Sequence, residues 1–275
     1  MKATTLAILG NAGVELSDHD GEVAHAEFSQ SINDEMQSRG FDSSDFMDKL
    51  PEHEMKRRRD MRHELVMTID PTTSRDFDDA LHVKQCDDGD FEVGIHIADV
   101  SYFVVPGSEL DNEARLRCAT TYLQGFSVPM LPRELSENLC SLNPGVDRCA
   151  FSVIVKMKPD GTFDDNETWF GRTLINNKCR MDYQTAQRII DGIDGIDGKE
   201  GPAVTAESGL PEEYQVYNSH GPVFSTADVV SSIKNLRDLA VELQRMGKKT
   251  EIQHQTKMTF TTNPASGLPD NFVWR

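Results

Sequence analysis

Thr68–Leu81, TIDPTTSRDFDDAL, places four aspartates, Asp70, Asp76, Asp78 and Asp79, within ten residues. The apolar run Leu65–Ile69 that leads into it predicts a buried strand, and Pro71–Ser74 predict a loop. Asp76-Phe77-Asp78 reads as extended chain, so residues 76 and 78 share one face while Phe77 turns to the other. Asp79 adjoins them and Asp70 folds back across the loop, so the four carboxylates are expected to converge at one end of a sheet. Such a group without cations is costly in repulsion and desolvation. A hard divalent cation, Mg²⁺ or Mn²⁺, offsets that cost, takes oxygen ligands and keeps positions open for phosphate and water. The plain alternative is a solvated acidic loop, but Phe77, Ala80 and Leu81 interleave with the acids, and an exposed tail would not carry them. An EF-hand is excluded, because no Gly stands at the sixth position and no Glu at the twelfth. A phosphatase loop with Asp-x-Asp directly after a strand fits poorly, since Asp70 is followed by Pro71 and the pair comes later.

Outward from this stretch the chain alternates. Leu81–Lys84 continues a strand, Asp87-Asp88-Gly89 turns it, and Phe91–Val100 returns with Phe91, Val93, Ile95 and Ile97 on one face. His96 on the other face reads as a structural histidine rather than a base, and Asp99 as a turn cap or a neighbour of the metal. Leu110–Thr121 predicts a helix, and Val128–Leu135 a loop entering a short helix with Pro132 in its first turn. Cys149–Met157 and Glu167–Ile175 form a second hairpin around Pro159-Asp160-Gly161. Asp182–Ile190 is helical. Val229, Ile233, Leu236, Ala240 and Leu243 recur at helical spacing, with Ser225 or Thr226 as the cap. Ile252–Phe260 and Asn271–Trp274 are late strands, and Asp191–Gly198, DGIDGIDG, is a flexible insertion. The whole predicts a mixed α+β domain with a mostly antiparallel sheet and flanking helices.

Before the aspartates, Lys56–Arg62 packs five cations into seven positions. They are either a solvated helix end or, through Arg57 and Arg58, a phosphate contact beside the strand that leads into the aspartates. Residues 1–55 are polar, acidic and weakly periodic, and read as a linker without a core of its own.

The 275 residues, 37% hydrophobic and 27% charged, suit a soluble domain with polar loops. No apolar run approaches the ~20 residues of a membrane span, and the N-terminus turns acidic too soon for a signal peptide. The 5 cysteines are widely spaced and the 8 histidines lack zinc spacing, which points to reduced thiols in an intracellular protein. The net charge of −18 disfavours a tight grip on nucleic acid by this chain alone.

TIDPTTSRDFDDAL, VGIHIADVSYFV (residues 93–104) and TTYLQGFSVPMLPRELSENLCSLNPGVDR (residues 120–148) together resemble the RNB catalytic domain of the RNase II / RNase R exoribonucleases. That family includes the eukaryotic exosome-associated and exosome-independent nucleases. The resemblance runs from about Lys56 to the end, and implies residues 56–275 as the N-terminal part of an RNB domain. Residues 1–55 then match a linker following RNA-binding domains. The family's later helical segment, with its phosphate-holding arginine, is expected beyond Arg275. It implies a Mg²⁺-dependent 3′→5′ exoribonuclease that takes the 3′ end of single-stranded RNA and releases nucleoside 5′-monophosphates in mRNA decay. By position, Asp78 matches the aspartate essential for cleavage, Asp70, Asp76 and Asp79 the metal and 3′-end contacts, and Tyr122 the tyrosine that packs on the terminal nucleotide. KRRRDMRHE and ADVSYFV lean toward a cytoplasmic, exosome-independent relative. The competing readings are a non-enzymatic RNA-binding module of the same fold and an acidic or calcium-binding scaffold.

Overall fold

The computed structural model describes residues 28–41, 46–47, 49–123, 126–192, 210 and 214–247, with the backbone alone of 122, 123, 126, 258–262 and 269–274. Residues 29–246 form one compact unit, and 1–28 with 247–275 another.

The main unit is organised by a sheet that closes on itself. Strands β1 (Arg59–Asp60), β2 (Val66–Asp70), β3 (Asp79–Gln85), β4 (Phe91–Ala98), β7 (Asp147–Met157) and β8 (Trp169–Asp182) run in the order β1-β8-β2-β3-β4-β7, and β7 pairs again with β8. The long strand β8 makes closure possible. Residues 169–176 pair antiparallel with β7, while 177–182 pair parallel with β2, and β1 occupies the same edge at Thr173 and Leu174. The predicted hairpins are present, β3 on β4 and β7 on β8. The smaller hairpin of β5 (Thr121–Leu123) and β6 (Phe126–Val128) follows the helix Glu109–Arg117.

β2 is buried on both faces, which explains its unbroken apolar run. Val66 faces an interior core with Phe77, Ala80, Ala98, Ala150, Ile154 and Ile175. Met67 faces outward, onto Met181, Ala186, Ile189, Val229 and Ile233. That outer layer comes from α5 (Tyr183–Asp191) and α6 (Thr226–Met246). Of the predicted stripe on α6, Val229 and Ile233 are buried and Leu236 half-buried, whereas Ala240 and Leu243 are exposed and Val230 and Leu239 pack instead. Asp182 caps α5 by accepting from the Thr185 amide, and Ser225 caps α6 through the Asp228 amide.

Two expectations are corrected. The linker reading of residues 1–55 fails from residue 29 onward, where the chain is part of the main unit. Helix α1 (Gln30–Ser38) buries Ile32 and Met36, Phe41 packs edge-on against Phe103 at 5.4 Å, and Glu35 accepts from the Leu110 amide. Two apolar residues four apart in a polar nine-residue segment are too faint a stripe to read without the surface that receives them. The second return strand also runs past Ile175 to Asp182. Its polar residues Asn176, Asn177 and Lys178 are buried and bonded: Asn177 donates to Thr68 Oγ1 and the Leu142 carbonyl, and Lys178 to Asn176 Oδ1. DGIDGIDG lies outside the described residues from position 193. In the second unit β9 (Met258–Thr262) and β10 (Pro269–Trp274) pair antiparallel; they overlap the two late strands expected from the sequence, whose residues 252–257 lie outside the described residues.

Candidate active site

Asp70 is the last residue of β2 and Asp79 the first of β3, and these strands pair antiparallel with Met67 opposite Leu81. Both aspartates therefore stand at the same end of the sheet, with the loop 71–78 between them. The loop is held from three directions. Phe77 is buried; its amide donates to Ser141 Oγ and its carbonyl accepts from Leu142 N. The Asp78 carbonyl accepts from Ala98 N, which extends the β3–β4 ladder to the acid itself. Arg180, from β8, donates through Nη2 to the carbonyls of Thr72 (3.0 Å) and Ser74 (3.3 Å), and its guanidinium lies 4.8 Å from the centroid of the Phe77 ring. With Phe77 pinned inward, Asp76 and Asp78 are turned outward, as the extended reading requires.

Sequence reasoning missed the supports. Ser141 lies in the CSLNPG segment, and buried Arg148 holds that segment by donating to the carbonyls of Asn138 and Ser141. Arg148 ends a motif already singled out, so its signal was present without a role. Arg180 carried no signal at all, because its target is a backbone distant in sequence.

The electrostatics are those of an anionic site with only a partial counter-charge, Arg180. Asp70 is half-buried, and its Oδ2 is buried with no hydrogen-bond partner among the described residues. Its pKa is pushed up to about 6, first by burial and then by Asp79, with smaller contributions from Asp78 and Asp76; Arg180 alone pulls it down. The Asp78 carboxyl is raised too, by desolvation and by Asp76 and Asp79, although its side chain reaches solvent. Among the described residues no three acidic, histidine or cysteine side chains are grouped closely enough to hold an ion. The aspartates thus share a field rather than a ready-made coordination sphere, since like charges without a cation have no reason to close up. In donor chemistry the set fits a hard divalent cation: hard oxygens only, one of them orphaned, and acids that oppose one another's ionisation.

The other predicted residues separate. Arg57 has a largely exposed side chain that pairs with Glu54 at 3.3 Å. Arg58 is corrected: it is buried, pairs with Asp99 at 2.8 Å and Glu54 at 3.3 Å, and lies over the Tyr102 ring, so its charge is spent inside the protein and cannot meet a phosphate. Asp99 is likewise drawn into that buried cluster. His96 is structural, bonded to His82 and Ser152. Tyr122 pairs with Ser127 in the β5–β6 hairpin, and its side chain lies outside the described residues.

The RNB domain matches residues 58–267. DIS3-like exonuclease 2 of Xenopus tropicalis is 43% identical over 244 residues, which cover 84% of this chain and 27% of that protein. A protein of Arabidopsis thaliana named Inactive exonuclease DIS3L2 is 40% identical over 226 residues, covering 82% of this chain and 20% of its own length. Mycoplasma genitalium RNase R, solved with ribose-methylated single-stranded RNA, has the same fold, with a TM-score of 0.69 at 22% identity over all of this chain and 36% of that one. This chain thus spans about a quarter of the frog protein. A match over most of the chain, from just before β1 through the aspartate loop and beyond, places it in the RNB-domain exoribonuclease family.

Proposed function

We propose that this chain carries the hydrolytic centre of a 3′→5′ exoribonuclease that acts on single-stranded RNA and releases nucleoside 5′-monophosphates in cytoplasmic mRNA decay. The observation that carries the reading is the aspartate loop: four acids positioned by dedicated supports, with the buried Asp70 Oδ2 left without a donor. A protein gains nothing in stability from that arrangement, so its use lies in what it binds.

Asp70, Asp76 and Asp79 would hold Mg²⁺, or Mn²⁺ in its place, and the bound ion would activate water and neutralise charge on the leaving oxygen. Asp78 is assigned to the reacting centre, fixed by the ladder bond of its carbonyl to Ala98. Phe77 keeps Asp76 and Asp78 on the substrate side, and Arg180 keeps the loop from spreading under its own charge. Tyr122 is assigned to stacking on the 3′-terminal base, and Arg57 to a backbone phosphate. A contact with the ribose 2′-hydroxyl would select RNA over DNA.

Asp78→Asn tests the assignment. With a 3′-overhang RNA and Mg²⁺, turnover should fall by at least ~10²–10³-fold, while binding of the same RNA changes little, because binding rests on many phosphate and stacking contacts. Equal loss of both would make Asp78 structural. The relative named inactive, at 40% identity, favours one second reading, an RNA-binding module without turnover. A parent chain that binds RNA yet shows no Mg²⁺-dependent cleavage would support it.

A further inference from the structure

Against the back of the aspartate loop lies a cleft of about 320 Å³, lined by Thr72, Arg180, Asp182, Tyr214, Gln215 and Tyr217 beside Pro144. No role described so far uses it. We propose that this cleft binds a nucleoside monophosphate unit, its base on the tyrosines and its phosphate toward Arg180; the proposal deepens, and rests on, the ribonuclease reading.

Its walls are built rather than incidental. Thr72 belongs to the aspartate loop, and its carbonyl is one of the two that Arg180 holds. Asp182 stands in register with Asp70 on the neighbouring strand. The far wall, residues 214–217, is tied down at both ends. The Tyr217 amide donates to the Lys178 carbonyl, and its ring covers Gly145 so closely that an added Cβ there would come within 2.5 Å. The Tyr214 hydroxyl donates to Asp182 Oδ2 and lies 3.3 Å from Thr185 Oγ1. The rings are therefore set before any ligand arrives, which lowers the ordering cost of binding.

The lining selects the ligand. Two half-buried aromatic rings offer stacking faces to a planar base. Gln215 is exposed, and its amide offers a donor and an acceptor to a base edge without preferring one base. Arg180 makes both loop contacts through Nη2, so Nη1 and Nε keep donors for a phosphate. Asp182 and the nearby Asp70 disfavour a bare anion, so inorganic phosphate lacks the stacking that would offset their repulsion. The volume lies at the small end of the ~300–1,000 Å³ typical of ligand clefts, which suits one nucleotide and not a strand. Because Arg180 and Thr72 belong to both places, the unit would lie one wall away from the aspartates. It is either a base of the RNA chain or the mononucleotide just released.

The test uses the whole chain carrying Asp78→Asn, without divalent cations, so that no turnover enters. Calorimetry and ¹⁵N-resolved NMR would follow titrations with UMP, AMP, inorganic phosphate and a short oligouridylate. Saturable binding of both mononucleotides, shifts centred on residues 214–217, and at least tenfold weaker binding of phosphate are expected. Gln215→Glu, at an exposed position, should weaken mononucleotide binding about tenfold or more, and Tyr217→Leu should remove a stacking face with a similar loss. If Gln215→Glu also weakens the oligouridylate, the occupant is a base of the RNA chain; if only the mononucleotides suffer, it is the released product. Absence of saturable mononucleotide binding, shifts mapping elsewhere, or binding indifferent to Gln215→Glu would overturn the proposal. A parent chain that fails to cleave RNA would leave these binding results untouched, so the two readings fail separately.

Discussion

The interior of the closed sheet and the aspartate loop at its end both carry buried polar side chains, and they are built on opposite principles. Inside, His82, His96, Ser152 and Thr173 come one each from β3, β4, β7 and β8 and form a continuous chain of hydrogen bonds, 2.8 Å between the imidazoles, 2.7 Å to Ser152 and 2.6 Å on to Thr173. Glu92 lies 3.5 Å from the far nitrogen of His82. His96 is kept neutral, its pKa lowered to about 3 by burial and by the neighbouring His82. The buried cluster of Arg58, Glu54 and Asp99 likewise sets a cation against two acids. At the loop, four acids face one partial counter-charge, Arg180, and Asp70 Oδ2 has no donor among the described residues. Arg58 Nη2, Asp99 Oδ2 and His82 Nε2 also lack a well-aligned hydrogen bond, but each has an oppositely charged or acidic partner at 2.8 or 3.5 Å. Burial of polar groups is therefore no guide to function in this protein; what separates the two regions is whether the burial has been compensated.

Three substitutions and one surface control probe that contrast. Arg58→Ala should have the largest effect, up to about 3–5 kcal/mol of lost stability. It removes the cluster's one fully buried cation and leaves Asp99 and Glu54 only the partly exposed Arg172, at 3.6 and 3.7 Å, and Arg57. Arg57→Ala, one residue away on an exposed side chain, should stay within about 0.5 kcal/mol. Urea melts of the two variants measure the difference, and a mild Arg58→Ala would mean that the cluster is not closed. Gly94→Ala comes next. Gly94 pairs with His82 across the ladder, and an added Cβ would come within 2.2 Å of the His82 ring. Overpacking of this kind costs about 1–3 kcal/mol, and a melt of the variant that matched the parent would show that the imidazole pair has room to move.

Asp70→Asn should have a smaller effect than Arg58→Ala or Gly94→Ala, and the opposite sign. The folded pKa of Asp70, about 6, lies above its ordinary 3.8. The stability this shift contributes is present below the ordinary pKa and lost as pH rises through about 6. Asparagine does not ionise, so the variant should match the parent near pH 3 and exceed it by about 1–2 kcal/mol near pH 7.5 without divalent cations, after allowance for screening at a half-exposed group. Adding Mg²⁺ at pH 7.5 should raise the melting temperature of the parent and not of the variant. A variant less stable than the parent at pH 7.5 would show that the carboxylate is compensated after all.

Much of the site was legible because its signals are local. Four aspartates around a Pro-Thr-Thr-Ser loop, after an apolar strand, announce a strand–loop–strand acid cluster whatever the rest of the chain does. The hairpins and helix α6 follow from periods of two and of about three and a half residues, which neighbouring residues set among themselves. The tertiary structure decided what depends on partners distant in sequence. It drew Arg58 inward to Asp99, 41 positions along by residue number, while its neighbour Arg57 stayed at the surface. It let β8 run on through Asn176, Asn177 and Lys178, because Thr68, Leu142 and His220 supply their hydrogen bonds. It closed the sheet by giving one long strand two partners, and it brought Arg180 under a loop more than a hundred residues earlier in the chain. A charged or amide side chain is equally stable in water or against a matching buried group, so its own identity leaves the choice open. The sequence determines which groups can be compensated, and only the packed fold decides which of them are.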